Sequence, residues 1–255
     1  MIRSVTDGLD FAAELLKMSD GDPFACRILS LFHSYHPGLA FVDYWLTADD
    51  DGTTNGAIAR NGSNFILFLT EQSALDEIAS FLRLSGATGI LCDGKYRLDF
   101  SAGDTTGVIM KINTPIDVAD EDITLVEPDI KSAYELISLC ADENFTPPAF
   151  EDFYVDVNHK LRHGAMRMYG IIDEGTLAAL ALTVAESGDG AVLGAVACHP
   201  DYRRKGFGSL IVQHTVNRLI AEQKTVFLHR AENANAAFYH KLGFIDCGIW
   251  REYKV

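Results

Sequence analysis

Long apolar runs are missing from this chain of 255 residues: nowhere do the roughly 18 consecutive apolar residues needed for a membrane-spanning helix occur. The opening MIRSVTDGLD lacks a basic stretch leading into an apolar core with a small-residue cleavage site, so the sequence reads as soluble, unexported and cytoplasmic. No C-x-x-C pair is present. Cys26, Cys92, Cys140, Cys198 and Cys247 are odd in number and scattered, which argues against a zinc ribbon or redox couple and suits a reducing compartment. His33-x-x-His36 has no third ligand nearby and runs straight into Pro37, so it reads as a turn and no metal is expected. Basic residues are scarce, 21 Lys and Arg against 36 Asp and Glu, for a net charge of −15. Residues 1 to 120 hold 8 basic against 17 acidic residues and the remainder 13 against 19, so both halves are acidic. Such a surface repels nucleic-acid backbones and anionic lipid, and tolerates a cationic amine.

What is present suits two globular α/β domains of ordinary size. Between Gly107 and Leu125 a β-type run gives way to Pro115 and the acids Asp117, Asp120, Glu121 and Asp122 before a new apolar run begins. The boundary is expected there, with domains 1–118 and 119–255. Beyond it the pattern predicts a strand Asp122 to Val126, helices from Pro128 to Cys140 and Phe150 to Leu161, and strands Ala165 to Ile172, Thr176 to Ala185 and Ala191 to Cys198. A helix Gly206 to Gln223, a strand Thr225 to His229, a short helix Asn233 to Leu242 and a strand Phe244 to Tyr253 follow. The order is β-α-α-β-β-β-α-β-α-β. The first half echoes it coarsely: helices Leu9 to Met18 and Phe24 to Ser34, strands Ala40 to Thr47, Gly56 to Arg60 and Asn64 to Thr70, a helix Ser73 to Leu84 and a strand Thr88 to Cys92.

Chemistry concentrates in AVACHPDYRRKGFGSLIV, from Ala195 onward: a strand ends at Pro200 and the chain passes two glycines into an amphipathic helix. The first turn of a helix aims unpartnered N–H groups and a partial positive charge at an anion. Gly206 and Gly208 let phosphates reach the backbone, and Arg203, Arg204 and Lys205 supply charge. A dinucleotide fingerprint would want a third glycine where Ile211 stands, and no Walker A sequence occurs. What remains is [RQ]-x-x-G-x-[GA], filled by Arg203, Gly206 and Gly208. Together with F-Y-x-K-x-G-F at Phe238, Tyr239, Lys241, Gly243 and Phe244, it resembles the GNAT acetyltransferase superfamily over roughly residues 120 to 255.

That resemblance implies a mixed-sheet domain binding acetyl-CoA and acetylating a primary amine by direct attack, the amine belonging to a small molecule or peptide. The alternative is a non-catalytic acyl-CoA-binding or sensing protein. Implied coenzyme contacts are the main chain of Val196, Ala197 and Cys198, the loop Arg203, Arg204, Lys205, Gly206, Phe207, Gly208 and Ser209, and Asn233 or Asn235. Glu232 stands where many relatives have the pantetheine-binding Asn. Tyr239 matches the acid that protonates the departing thiolate. Cys198 reads as a strand residue rather than a nucleophile. The strand Ala191 to Cys198 carries no carboxylate where relatives often place a base, so Glu143, Glu151, Asp152, Glu186 and His199 stay as unranked candidates. The first half's crossover, ILFLTEQSALDEI, has no glycine and puts Glu71 where phosphates would lie, so that lobe is expected to be GNAT-like at most and to lack a coenzyme site. The sequence leaves a homodimer open.

Overall fold

The structure, a computed structural model, describes residues 1–5, 10–100, 103–117, 123–142 and 145–255. Its contacts divide into two units, one of Met1–Ile109 with Asp246–Val255 and one of Met110–Ile245.

Unit 1 begins with strand β1 (Ile2–Ser4) and helices α1 (Phe11–Ser19) and α2 (Pro23–Ser34). Asp22 caps α2 by accepting from the N–H groups of Phe24 and Ala25 at 2.8 and 3.0 Å, and Pro23 occupies the first turn, where its missing N–H costs nothing. Strands β2 (Val42–Ala48), β3 (Thr54–Asn61) and β4 (Asn64–Leu69) form an antiparallel meander, with β1 paired to β2. Helix α3 (Leu75–Leu84) crosses over to β5 (Gly89–Asp93), which lies parallel to β4, and β6 (Asp104–Ile112) follows. Ile78 and Leu82 of α3 pack on Phe65, Leu67, Ile90 and Cys92. Trp45 packs at the edge of this core, 5.1 Å from Phe81.

Unit 2 holds β7 (Thr124–Val126), α4 (Ile130–Leu139), α5 (Phe150–Arg162), β8 (Met168–Asp173), β9 (Thr176–Glu186), β10 (Gly190–Cys198), α6 (Phe207–Ala221), β11 (Thr225–Ala231) and α7 (Ala236–Lys241). Strands β7 to β10 run antiparallel in order, and β11 joins β10 in parallel. One sheet face buries Leu180, Leu182 and Ala197 under Ala133, Leu136 and Ile137 of α4 and Val157 of α5. The mixed α/β class and the element order of the second half match expectation.

Three features differ from the sequence reading. Strand β1 and the first three residues of β6 have no counterpart in it, because three residues, or the polar run Asp-Thr-Thr, carry too little apolar periodicity. The boundary expected at 118/119 falls outside the described residues, whereas the contacts divide at Ile109 and Met110. Finally, β12 (Ile245–Lys254) sends Trp250 to Lys254 into antiparallel pairing with Asp93 to Gly89 of β5, so the chain's last residues complete unit 1. Here the Tyr253 hydroxyl accepts the Leu98 N–H at 2.9 Å. Pairing across more than 150 positions leaves no local trace in a sequence.

Candidate functional site

The site grows from the way β10 leaves β11. Their parallel ladder runs from Gly190↔Thr225 to Leu193↔Leu228, after which β10 continues to Cys198 and β11 to Ala231. Over Gly194 to Cys198 the edge toward β11 therefore carries main-chain groups outside that ladder, while the other edge stays paired through Val196↔Ala181, Ala197↔Leu180 and Cys198↔Ala179. A bulge between Leu193 and Val196 marks the bend. Gly194 sits within it, where a Cβ would stand 2.2 Å from Val184 Cγ1.

Past Cys198 the chain makes a 3-10 turn at Pro200–Tyr202 and enters α6. Arg204 and Gly206 adopt left-handed φ values of 65° and 94°, and Gly206 caps α6 without a side-chain acceptor. The carbonyl of Gly206 accepts from Ser209 and Leu210, and no acidic residue occupies the first turn. The loop is thus a bend of backbone donors on the positive end of a helix of 15 residues. Arg203, Arg204 and Lys205 are exposed; Arg203 Nε donates to the Cys198 carbonyl at 3.3 Å and Lys205 Nζ lies 4.7 Å from the Tyr202 ring centroid. Phe207 and Ser209 are half-buried, Phe207 with its ring 5.8 Å from that of Tyr202.

Gly208 joins the parts. A Cβ there would stand 4.0 Å from Cys198 Cβ and 3.9 Å from Phe238 Cζ, so the first turn of α6, the end of β10 and α7 meet at one point. Burial pushes the Cys198 thiol up, against the pull of Arg203 and of the Gly208 N–H, which fits a strand residue and not an activated nucleophile. Tyr239, buried on α7 between Phe238 and Phe244, has a phenol pushed up by burial to about 12. Its N–H donates to the carbonyl of Asn235, which holds a left-handed φ of 58° at the start of α7. Asn233 and Asn235 are both exposed.

The candidates for a base do not converge. Glu186 is locked in a buried cluster: Arg167 reaches it through Nε and Nη2 at 2.8 and 2.6 Å, Lys224 Nζ at 2.8 Å and Thr183 Oγ1 at 2.8 Å. It pairs with Ala191 at the opposite end of β10 from Cys198. Glu151 and Asp152 are exposed on the first turn of α5, and His199 Nδ1 accepts the Asp201 N–H at 3.3 Å. Glu143 lies outside the described residues. One neighbour had no distinguishing signal in the sequence, Cys140, whose Sγ donates to the Cys198 carbonyl at 3.3 Å; Phe238, which backs Gly208, stands in the motif Phe238 to Phe244.

Comparison with known proteins places these parts in context. Residues 168–255 match the family model described as FR47-like protein. The [Ribosomal protein bS18]-alanine N-acetyltransferase of Escherichia coli K12 is 37% identical over 90 residues, 33% of this chain and 59% of that protein. The Shigella flexneri protein of the same name matches equally. The chain thus spans about three fifths of the length of the curated relatives it matches. Among solved structures, a tandem GNAT protein from the clavulanic acid biosynthesis pathway aligns with a TM-score of 0.61 at 14% identity, over 100% of this chain and 98% of that one. A GNAT-family acetyltransferase from Colwellia psychrerythraea aligns at 0.57 and 13%, over 100% and 99%. At those identities the likeness is one of fold, and it runs through both halves.

Proposed function

We propose that the C-terminal half of this chain is a GNAT-superfamily domain and that the protein is an acetyl-CoA-dependent N-acetyltransferase acting on a primary amine. The observation that carries the reading is the divergence of β10 from β11 beside an α6 N-terminus capped by a left-handed Gly206. In this reading the N–H groups of the loop from Arg203 to Ser209 hold the pyrophosphate, with the exposed Arg203, Arg204 and Lys205 around it. The free edge of Val196, Ala197 and Cys198 bonds the pantetheine arm and the acyl carbonyl. Asn233 and Asn235, exposed before α7, reach the pantetheine amides.

The amine attacks the acyl carbon, and an N–H near Cys198 stabilises the oxyanion, a contact of a kind often worth about 3 kcal/mol. Collapse expels the thiolate toward Tyr239. A phenol at about 12 stays protonated throughout the neutral range. It is a weaker acid than a thiol near 8.5, so Tyr239 acts chiefly by hydrogen-bonding the developing thiolate. Since the described carboxylates do not converge on Cys198, the amine loses its proton through water or arrives neutral. The curated relatives act, by name, on an alanine of a ribosomal protein; for this chain the acceptor class stops at a primary amine of a small molecule or peptide.

The test is thiol release from acetyl-CoA by the full chain across a panel of primary amines that includes alanyl peptides and polyamines. Turnover with at least one amine supports the reading. A thermal shift with coenzyme A but no release across the panel would replace it with the binding or sensing alternative, and no thermal shift would remove the coenzyme site.

A further inference from the structure

One carbonyl at the end of β10 is held by side chains where a strand would ordinarily hold it. The His199 N–H donates to the Ala178 carbonyl at 2.9 Å, so the main-chain groups of His199 turn toward β9. Successive residues of a strand point their N–H and C=O groups to opposite edges, so those of Cys198 turn to the edge that has left β11. The ladder with β11 has ended by then, at Leu193↔Leu228. Cys140 Sγ and Arg203 Nε donate to the Cys198 carbonyl instead, each at 3.3 Å. A carbonyl oxygen accepts through two lone pairs, and two donors match that capacity. They come from different elements. Cys140 closes α4, its own N–H bonded back to the Leu136 and Ile137 carbonyls at 3.2 and 3.1 Å, and Arg203 follows the turn Pro200–Tyr202. The Cys198 side chain meanwhile faces the first turn of α6, its Cβ 4.0 Å from where a Cβ on Gly208 would stand. Cys198 is thereby tied to α4, to the loop and to α6.

In an extended residue the N–H and C=O share an edge, so the Cys198 N–H lies beside this carbonyl, on the side where the coenzyme would run. A bare carbonyl there would set a partial negative charge against the charge developing on the acyl oxygen, and a peptide group left unheld could turn away from the position the oxyanion needs. Resting on the acyl-transfer reading, we propose that Cys140 and Arg203 are positioning residues: by holding the Cys198 carbonyl they fix the end of β10 so that the Cys198 N–H is the donor presented to the acyl oxygen. Arg203 then serves the strand through Nε and has only its two terminal nitrogens left for the pyrophosphate. Cys140 acts through its S–H as a donor and takes no covalent part.

Steady-state kinetics and coenzyme A calorimetry of the full chain test it, with acetyl-CoA and the fastest amine of the panel of alanyl peptides and polyamines. Cys140→Ala should lower kcat about tenfold and leave coenzyme A affinity within about twofold, as loss of a contact that acts on the transition state requires. Cys140→Ser restores a donor in a side chain of similar shape and should recover most of the rate. Arg203→Met should lower kcat about tenfold at saturating acetyl-CoA, over and above any loss of affinity. Unchanged kcat in Cys140→Ala overturns the proposal, as does a serine variant as slow as the alanine one, which would leave Cys140 a packing residue. Should Cys140→Ala fail to fold by circular dichroism, Arg203→Met, at an exposed position, decides alone: weaker coenzyme binding with kcat intact would make Arg203 a phosphate ligand only and overturn it. A parent that turns over no amine removes the acyl-transfer reading and this proposal with it, whereas an active parent with unaffected variants removes the proposal alone.

Discussion

Units 1 and 2 each pass from a strand through a turn into a helix and on to a parallel strand, and in both the parallel ladder stops early. In unit 1, β4 and β5 pair from Asn64↔Gly89 to Ile66↔Leu91, while β4 runs to Leu69. There the likeness ends. The turn after β4 spends its polar groups on the protein: Thr70 N–H donates to Ser73 Oγ at 2.9 Å, and the hydroxyls of Thr70 and Ser73 donate to the Asn55 carbonyl at 2.7 and 3.1 Å. Asn55 Nδ2 donates in turn to the Gln72 carbonyl at 2.9 Å. Gly56 lies beneath, where a Cβ would come within 2.8 Å of the Phe68 carbonyl oxygen, so the turn is seated on backbone. Asp76 and Glu77 fill the first turn of α3, whereas the first turn of α6 has no acid and opens on a left-handed glycine. An anion meets satisfied donors and carboxylates in one unit; in the other it meets a turn whose N–H groups from Arg204 to Phe207 have no partner among the described residues. What separates a phosphate site from a plain crossover is therefore how the turn's hydrogen bonds are spent, not the topology.

The sharpest way to break the comparison is to spoil the open turn. Gly206→Val forces a β-branched residue to a φ of 94°, a strain of roughly 1–3 kcal/mol, and reshapes the bend that presents the N–H groups. Coenzyme A affinity by calorimetry should fall roughly a hundredfold or more, about 3 kcal/mol. Retained affinity would mean that the coenzyme does not sit there. Tyr239→Phe comes next. Turnover should drop roughly a hundredfold with coenzyme affinity nearly unchanged, as loss of a proton or hydrogen-bond donor in the transition state requires. With the phenol raised to about 12, it stays protonated up to that pH, so Tyr239 should put no alkaline limb on the rate profile below about pH 11. A limb near pH 8 that vanishes in the Phe variant would show a different ionisation at work.

Much of this contrast was legible in the sequence, and the reasons differ by element. The turn at Arg203–Gly208 is spelled by glycines that only a special backbone needs, and ILFLTEQSALDEI shows its lack of them openly. Strands Asn64–Leu69 and Gly190–Cys198 stand within a residue or so of where their apolar runs place them. What stayed hidden depends on partners distant in the chain. The Asn55 bridge to Gln72 and Ser73, the gathering of Glu186 with Arg167, Glu222 and Lys224, and the pairing of β12 with β5 each join residues with no fixed spacing. Glu186 shows the hazard well: a carboxylate after a strand resembles a free base until two cations are found on it.

A smaller effect tests the closed turn. Ser73→Ala removes the acceptor of the Thr70 N–H and one donor to Asn55, and at a buried position that should cost about 1–3 kcal/mol in denaturant unfolding. Coenzyme A binding should not change. Weaker binding in this variant would mean that the first unit's crossover contributes to the coenzyme site after all.

The helix caps carry the comparison to pH dependence. Asp22 caps α2 in unit 1 and Asp129 caps α4 in unit 2, both as N-cap acceptors, yet their carboxyls shift in opposite directions. Burial raises Asp22 to about 6, outweighing the N–H groups of Ala25 and Phe24. The Ser132 hydroxyl and N–H, at 2.6 and 3.0 Å, hold the exposed Asp129 below the usual carboxylate range. A raised folded-state value gives stability that is complete below about pH 4 and lost as pH climbs through about 6; a lowered one gives stability present above about pH 4 and lost on acidification. Asn caps helices as well as Asp does, so substitution isolates the charge. Asp22→Asn should therefore be the more stable protein at pH 8, by up to about 3 kcal/mol for a shift of about two units, and the advantage should close toward pH 4. Asp129→Asn should be slightly less stable at pH 8 and converge with the parent as pH falls. Denaturant midpoints measured from pH 2 to 8 should lie on opposite sides of the parent at pH 8, the Asp22→Asn gap closing between about pH 6 and 4 and the Asp129→Asn gap closing only below about pH 4; gaps of the same sign would place both caps in the same environment and remove burial as the cause.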